Sequence, residues 1–321
     1  MKKYFLSLIL CTSAIFAEEV PQPESPLELS LATSAAIYPE AEHKTGSSHF
    51  SKVNGVYESA DLAFELNAAY TLAFLKGSDE LTEDNHLTFN AGVEITPVSL
   101  APTVSIVLSP VAFLEFAVGG KVGSGWNVGD AFYGIAEYNA SKMEYEKRDA
   151  FSSWYLNGWF SGTFQFDLAA IWEGEFHHVI ASATYKAGYQ TLTGTDATIW
   201  LWQNDYALAD GWIYEQEYIL GYQMPFRLSM IAVGTTLSGH YDSSDYGEFA
   251  SNYSGDFMTI DIWPMAEISF DKKNRVYILA NVSSRRSFRE KYKDDDHEPL
   301  MTACGREWYF DSFAMQWMHL F

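Results

Sequence analysis

Cysteine is nearly missing: the 321 residues hold two, Cys11 and Cys304. Cys11 falls in a stretch that reads as a leader, so only Cys304 remains and no intramolecular disulfide is possible. An exported chain of this size must then be held by an extensive core or by a hydrogen-bonded sheet. A lone thiol with no matched histidine is also a poor nucleophile. Positive charge is scarce, with 20 Lys+Arg against 42 Asp+Glu and a formal net charge of −22. That excludes a nucleic-acid partner, because neutralising phosphates needs a basic surface. A mean hydropathy of −0.12 leaves no room for a bundle of membrane helices. The one long apolar tract, Pro97 to Gly120, carries Pro97, Pro102, Pro110 and Glu115. Each proline inside a helix costs about 3 kcal/mol, so the tract reads as strands separated by turns near Pro97 and Pro110. Convincing internal repeats are absent too, which argues against a propeller or a β-helix.

What is present begins with the amino terminus. Lys2 and Lys3 precede an apolar stretch from Tyr4 to Leu10, and small residues follow to Ala17 before Glu18 and Glu19. This is the pattern of a secretory signal peptide over residues 1–17, too short to span a bilayer. A lipoprotein signal ending at Cys11 is the competing reading, disfavoured by the bulk of Leu10. Pro21, Pro23 and Pro26 suit a mobile lead-in.

Beyond it the dominant period is two. In Asp61 to Leu75, the parity of Leu62, Phe64, Leu66, Ala68, Tyr70, Leu72 and Phe74 is wholly apolar, while the other carries Asp61, Glu65, Asn67 and Thr71. A helix would mix these sets on every face, so the segment is a long strand with one greasy side. The pattern returns at residues 87–95, 163–170, 178–190, 212–222 and 260–270, where Pro264 predicts a bulge or local break. Tight turns, such as Thr96 to Val98, Gly123 to Gly125 and Asp271 to Arg275, alternate with long polar loops, such as Lys76 to Asn85, Gln190 to Gly211 and Arg289 to Arg306. An apolar face that meets lipid requires a sheet closed on itself, because hydrocarbon cannot satisfy an open edge. The fold class is therefore all-β: a closed up-and-down antiparallel transmembrane β-barrel. At about 25 residues per strand and connection it has about 12 strands, within 10 to 14. A soluble β-sandwich is the alternative for the same alternation.

The carboxyl end adds a family resemblance. Phe313, Met315, Trp317 and Phe321 share one parity, and the chain stops at Phe321. This resembles the last strand of bacterial outer-membrane β-barrel proteins, which ends in an aromatic residue after alternating apolar positions; His319 departs from the pattern. The resemblance implies that these four residues form the signal read by the outer-membrane assembly machinery. It also implies an outer-membrane location reached through the periplasm, with lipid and lipopolysaccharide as surroundings. A periplasmic C-terminus puts Asp271 to Arg275 inside and Arg289 to Arg306 outside. Counting back makes Asp61 to Leu75 the twelfth strand. The domains are then the signal peptide over 1–17, an N-terminal extension over 18–60 and the barrel over 61–321. Leu27 to Ile37, in the extension, is left as an extra strand, an inward plug or a periplasmic segment.

Inside a barrel, the inward set comprises Glu65, Asn67, Asn90, Glu94, Gln165, Asp167, Glu215, Glu217, Asp261 and Glu267, with Lys186 and Arg227 as bases. A pore so lined favours cations or small neutral polar solutes over anions. The alternative is a narrow, sealed barrel, structural or surface-binding, in which these groups pack against one another. Trp200, Trp202, Tyr206, Trp212 and Tyr214 crowd one outer loop and the strand after it, suiting either sugar stacking or an interfacial girdle. The run Asp294 to Glu298 matches no calcium loop and reads as a solvated loop. Arg285 and Arg286 suit lipid phosphates, or simply balance those acids. No cofactor or metal set is apparent, and no catalytic residue is assigned. His49 and Ser51 come nearest to a hydrolase pair but precede the first confident strand.

Overall fold

The alternating segments pair in chain order in a computed structural model that describes residues 25–79, 81–129, 132–172, 174, 176–291 and 294–321. The leader and most of the proline-rich lead-in lie outside the described residues. The strands are β1 (Leu27–Ala41), β2 (His49–Phe50), β3 (Val53–Ala73), β4 (His86–Thr96), β5 (Ser99–Val111), β6 (Leu114–Gly125), β7 (Ile135–Asn139) and β8 (Glu144–Lys147). They continue with β9 (Tyr155–Asp167), β10 (Val179–Leu192), β11 (Ile199–Trp202), β12 (Asp205–Ala209), β13 (Gly211–Gln223), β14 (Leu228–His240), β15 (Thr259–Ser269), β16 (Asn274–Phe288) and β17 (Ala303–Leu320). Twelve of them form a closed antiparallel barrel in the order β1, β3, β4, β5, β6, β9, β10, β13, β14, β15, β16, β17. The ring closes where β1 pairs with β17, from Ser30 opposite Leu320 to Ile37 opposite Phe313. The short β2 adds to β17 in parallel beside the rim.

Closure settles the segment left unplaced. Leu27–Ala41 is the first barrel strand, so the barrel begins within the expected 18–60 extension. Asp61 to Leu75 falls in the eleventh strand counted back, not the twelfth. The period-two signal of β1 is muted because its outward set contains Thr33 and Ala35, hardly more apolar than the inward Ala32, Ser34 and Ala36.

Two rims follow from the register. One carries the C-terminus and the connections 74–85, 112–113, 168–178, 224–227 and 270–273; the other carries 42–52, 97–98, 126–154, 193–210, 241–258 and 289–302. Lys76 to Asn85 therefore lies on the C-terminal rim, opposite to the strict alternation expected of it, and the tight turn at Pro97 lies among the long loops. Gly123 to Gly125 is no turn; it ends β6. Around Pro264 the pairing of β15 with β16 lapses between Ile262 and Met265 and resumes in unchanged register, a break without a bulge. The missing amide hydrogen removes one donor without forcing an extra residue into the ladder.

Outward positions are apolar and bare: Leu66 is 49%, Val118 55%, Leu220 55% and Met315 50% exposed. Water penalises a belt of this extent, whereas hydrocarbon solvates it. Inward, the lumen is unequal. Toward the C-terminal rim, Ile180, Ile219, Met230, Trp263, Met265, Tyr277 and Leu279 fill it from one side as a buried cluster. The facing wall is small and polar, with half-buried Asn67, Thr88, Asn90, Thr103 and Ser105.

Candidate functional site

At the loop-bearing rim the barrel mouth is filled by its own chain. Strands β12, β11, β7 and β8 form a second sheet in that order, built from the connections 126–154 and 193–210. Residues of β11 alternate between two cores. Trp200 and Trp202 pack with Ala101, Tyr155 and Leu192 of the barrel wall. Ile199 and Leu201 pack with Tyr246, Phe249, Tyr253 and Met301 from the far loops and with Phe288 at the end of β16. Both faces are buried, so Ile-Trp-Leu-Trp has no polar parity, as for any strand covered on both sides. The hairpin turns on Gln203 and Asn204, with φ of 53° and 61°, the left-handed pair that a two-residue hairpin needs.

The tip of this hairpin is fastened to the wall. Gln203 Nε2 donates to Glu94 Oε1 at 2.8 Å and to Ser99 Oγ at 2.6 Å. The Trp202 ring stacks on Tyr155 at 5.2 Å and 9°. It also lies over Gly123, where a Cβ would stand 2.5 Å from the indole, so only glycine admits it.

Beneath the plug lies a cavity of about 340 Å³. Its wall carries two ion pairs, Lys121 to Glu94 at 3.0 Å and Lys186 to Glu215 at 3.7 Å. Glu65, Asn157, Trp159 and Asp261 face it from the barrel, and Asp205 and Tyr206 from the plug.

Of the residues expected to line a lumen, Glu65, Glu94, Lys186, Glu215 and Asp261 border this cavity. Asn67 donates to Glu65 at 2.8 Å and Asn90 to Ser105 at 3.2 Å on the same wall. Glu217 and Glu267 are buried, 5% and 4% exposed, and Glu267 pairs with Arg275 at 3.6 Å. Gln165 and Asp167 sit at the C-terminal rim, where Asp167 meets His178 at 2.7 Å. Arg227 is a correction: it is exposed in the turn 224–227 and borders no lumen, because the strand ends before reaching it. The aromatic cluster also needs correcting. Trp200 and Trp202 are fully buried plug residues, Tyr206 faces the cavity, and Trp212, 52% exposed, stands on the outward parity of β13, as does Tyr214, which also borders the cavity. A sequence signal did exist, in two apolar segments flanking Gln203-Asn204, but it lay inside what reads as a loop.

Arg285 and Arg286 are buried, not lipid-facing. Arg286 stacks on Tyr253, 3.8 Å to the ring centroid, and donates to Ser254 O at 3.0 Å. Glu298 is no solvated acid either; it accepts a hydrogen bond from Tyr253 Oη at 2.8 Å. Arg285 donates to Glu307 Oε2 at 2.6 Å, and Glu307, 1% exposed, gathers the segment between β1 and β3. It accepts from Lys44 N at 2.9 Å and Ser51 Oγ at 2.6 Å, with His49 Nε2 at 2.9 Å and His43 Nδ1 at 3.3 Å. The Ser51 hydroxyl is thus committed to a carboxylate and does not prime a histidine, so His49 and Ser51 form no nucleophilic pair.

Burial lowers the His43 pKa from its usual 6.5, outweighing the pull of Glu307, with Arg285 acting in the same direction as burial. The docked segment therefore holds fewer protons than the undocked one, and docking weakens as pH falls below about 6.5. Hydrogen-exchange protection across residues 42–52, taken relative to the intrinsic rate at each pH, should be lower at pH 5 than at pH 7.5. Equal protection at both would refute this.

No protein-family model matches the chain, and no curated protein matches it. Solved structures do resemble it. An outer membrane channel from Pseudomonas putida F1 is 9% identical, with 95% of this chain and 100% of that one covered and a TM-score of 0.48. The NanC porin is 8% identical, over 90% and 98%, with a TM-score of 0.38. The translocator domain of autotransporter NalP from Neisseria meningitidis is 9% identical, over 98% and 93%, with a TM-score of 0.39. Similarity at this level transfers neither solute nor mechanism.

Proposed function

We propose that this chain is an outer-membrane β-barrel whose lumen is a narrow channel for cations or small neutral polar solutes, closed at its loop-bearing mouth by the β11–β12 hairpin. The observation that carries the reading is the contrast across one wall: a bare apolar belt outside, and ion-paired carboxylates around a cavity inside. A barrel serving only as a scaffold gains nothing from largely burying the Glu94–Lys121 pair, because apolar side chains of similar volume stabilise at least as well. The apolar cluster at the C-terminal rim favours a second reading, a sealed barrel with no conductance.

The outer-membrane setting is tested by heat-modifiable migration of detergent-extracted protein, and material that stays folded and monomeric in plain buffer would refute it. In this setting the outward Phe313, Met315, Trp317 and Phe321 are the assembly signal. Trp212 and Tyr214 belong to the girdle at the headgroups.

Planar-bilayer recording separates channel from scaffold, with discrete cation-selective steps expected. Glu94→Gln, made in a chain with the plug hairpin shortened, should lower cation preference, since it removes a carboxylate and leaves Lys121 uncompensated. An unchanged reversal potential in a salt gradient would count against Glu94 as a lining charge.

A further inference from the structure

Three tryptophans lie flat on the inner wall of the barrel, each seated over glycine. Trp202 covers Gly123, Trp263 covers Gly234, and Trp159 covers Gly119, where a Cβ would stand 2.5 Å from the ring. The first two are wholly buried, one as part of the plug and one in the apolar cluster. Trp159 is only half-buried, and it borders the cavity. Glycine on the neighbouring strand thus turns this indole into a platform with surface left for something else.

Polar groups surround that platform. Asn157 precedes it on the same strand face, Glu65 and Glu94 line the same cavity from β3 and β4, and the Lys186 ammonium lies over the ring, 5.4 Å from its centroid. Asn281, 1% exposed, borders the same cavity, and its Oδ1 has no hydrogen-bond partner among the described residues. A buried acceptor left open is unfavourable, and a ligand hydroxyl would satisfy it. Among the lining residues there are five carboxylates and three Lys or Arg, so the field opposes an anion. A volume of about 340 Å³ lies within the range of small-molecule sites.

We propose that this cavity is a binding site for an uncharged sugar. The C–H face of a sugar ring is apolar and matches the indole, while its hydroxyls serve as donors to Glu65, Glu94 and Asn281 and as acceptors from Asn157. A flat apolar molecule would use the ring and strand the carboxylates. An acidic sugar would meet the excess of negative charge.

The test is titration calorimetry of the detergent-solubilised full-length protein with maltose and with glucuronate, folding being verified for each variant by heat-modifiable migration. Saturable maltose binding is expected, with glucuronate weaker. Trp159→Ala should weaken maltose binding about tenfold, Trp159→Phe should retain most of it, and the outward-facing Trp212→Ala should leave it unchanged. Equal binding by Trp159→Ala, tighter binding of glucuronate, or no saturable maltose binding at the solubility limit overturns the proposal. Binding is read without a membrane current, so the two readings fail separately. A protein that binds maltose but never conducts keeps the site and loses the channel.

Discussion

Replacing residues 197–208 by a short glycine-serine connection is expected to raise single-channel conductance at least about tenfold. The segment removed is the hairpin whose Trp200 and Trp202 fill the mouth against Ala101, Tyr155 and Leu192. The wall behind it keeps every ladder bond, because β10 and β13 pair with each other from Val179–Tyr222 to Gln190–Gly211 without the hairpin. The barrel should therefore still fold and show heat-modifiable migration. A milder change makes the same point: Gln203→Ala removes both tip hydrogen bonds, to Glu94 and Ser99. The bond to the Glu94 carboxylate contributes about 1.5–3 kcal/mol and the one to the neutral Ser99 hydroxyl about 0.5–1.5 kcal/mol, enough to shift a closed mouth roughly tenfold toward open. Brief openings more frequent than in the parent chain are expected. If the hairpin-deleted barrel folds and conducts no better, the lumen is sealed lower down by the apolar cluster, and the scaffold reading replaces the channel.

The largest expected loss of stability is at Glu307. Its side chain is 1% exposed and holds Arg285, 8% exposed, at 2.6 Å, together with Lys44 N, Ser51 and His49. Glu307→Gln keeps the shape but leaves the buried guanidinium without its counter-charge. Removing one member of a buried pair costs about 3–5 kcal/mol, roughly 10 °C in unfolding midpoint for a chain of this size. The companion Arg285 also lies over Tyr309, 4.2 Å from its ring centroid, so it has no route to water without disturbing that packing. The segment 42–52 should lose its hydrogen-exchange protection in the same variant. An unchanged midpoint with 42–52 still protected would show that the pair contributes nothing net, as for some buried pairs that apolar residues replace at no loss.

Closure of the barrel, twelve strands and the outward direction of Leu62, Phe64, Leu66, Phe313 and Met315 were legible in the amino-acid order, because facing is a local property: a strand places alternate side chains on opposite sides whatever surrounds it. Where that rule met small residues on both parities, in Leu27–Ala41, it could not distinguish strand from plug, and only pairing with Leu320 and Asn67 decided it. Loop placement was legible to the extent that loop length tracks rim, and failed at Lys76 to Asn85, at the Pro97 turn and at Gly123 to Gly125. The interior was not legible. Whether Trp202 anchors a headgroup girdle or stoppers a mouth depends on Gly123 and Tyr155 of the wall it packs on, and whether Glu307 is a solvated acid or a buried hub depends on Lys44 and Arg285. Local alternation determined which side chains turn inward; what they meet there was decided by the tertiary structure, because those contacts join strands and loops far apart in the chain.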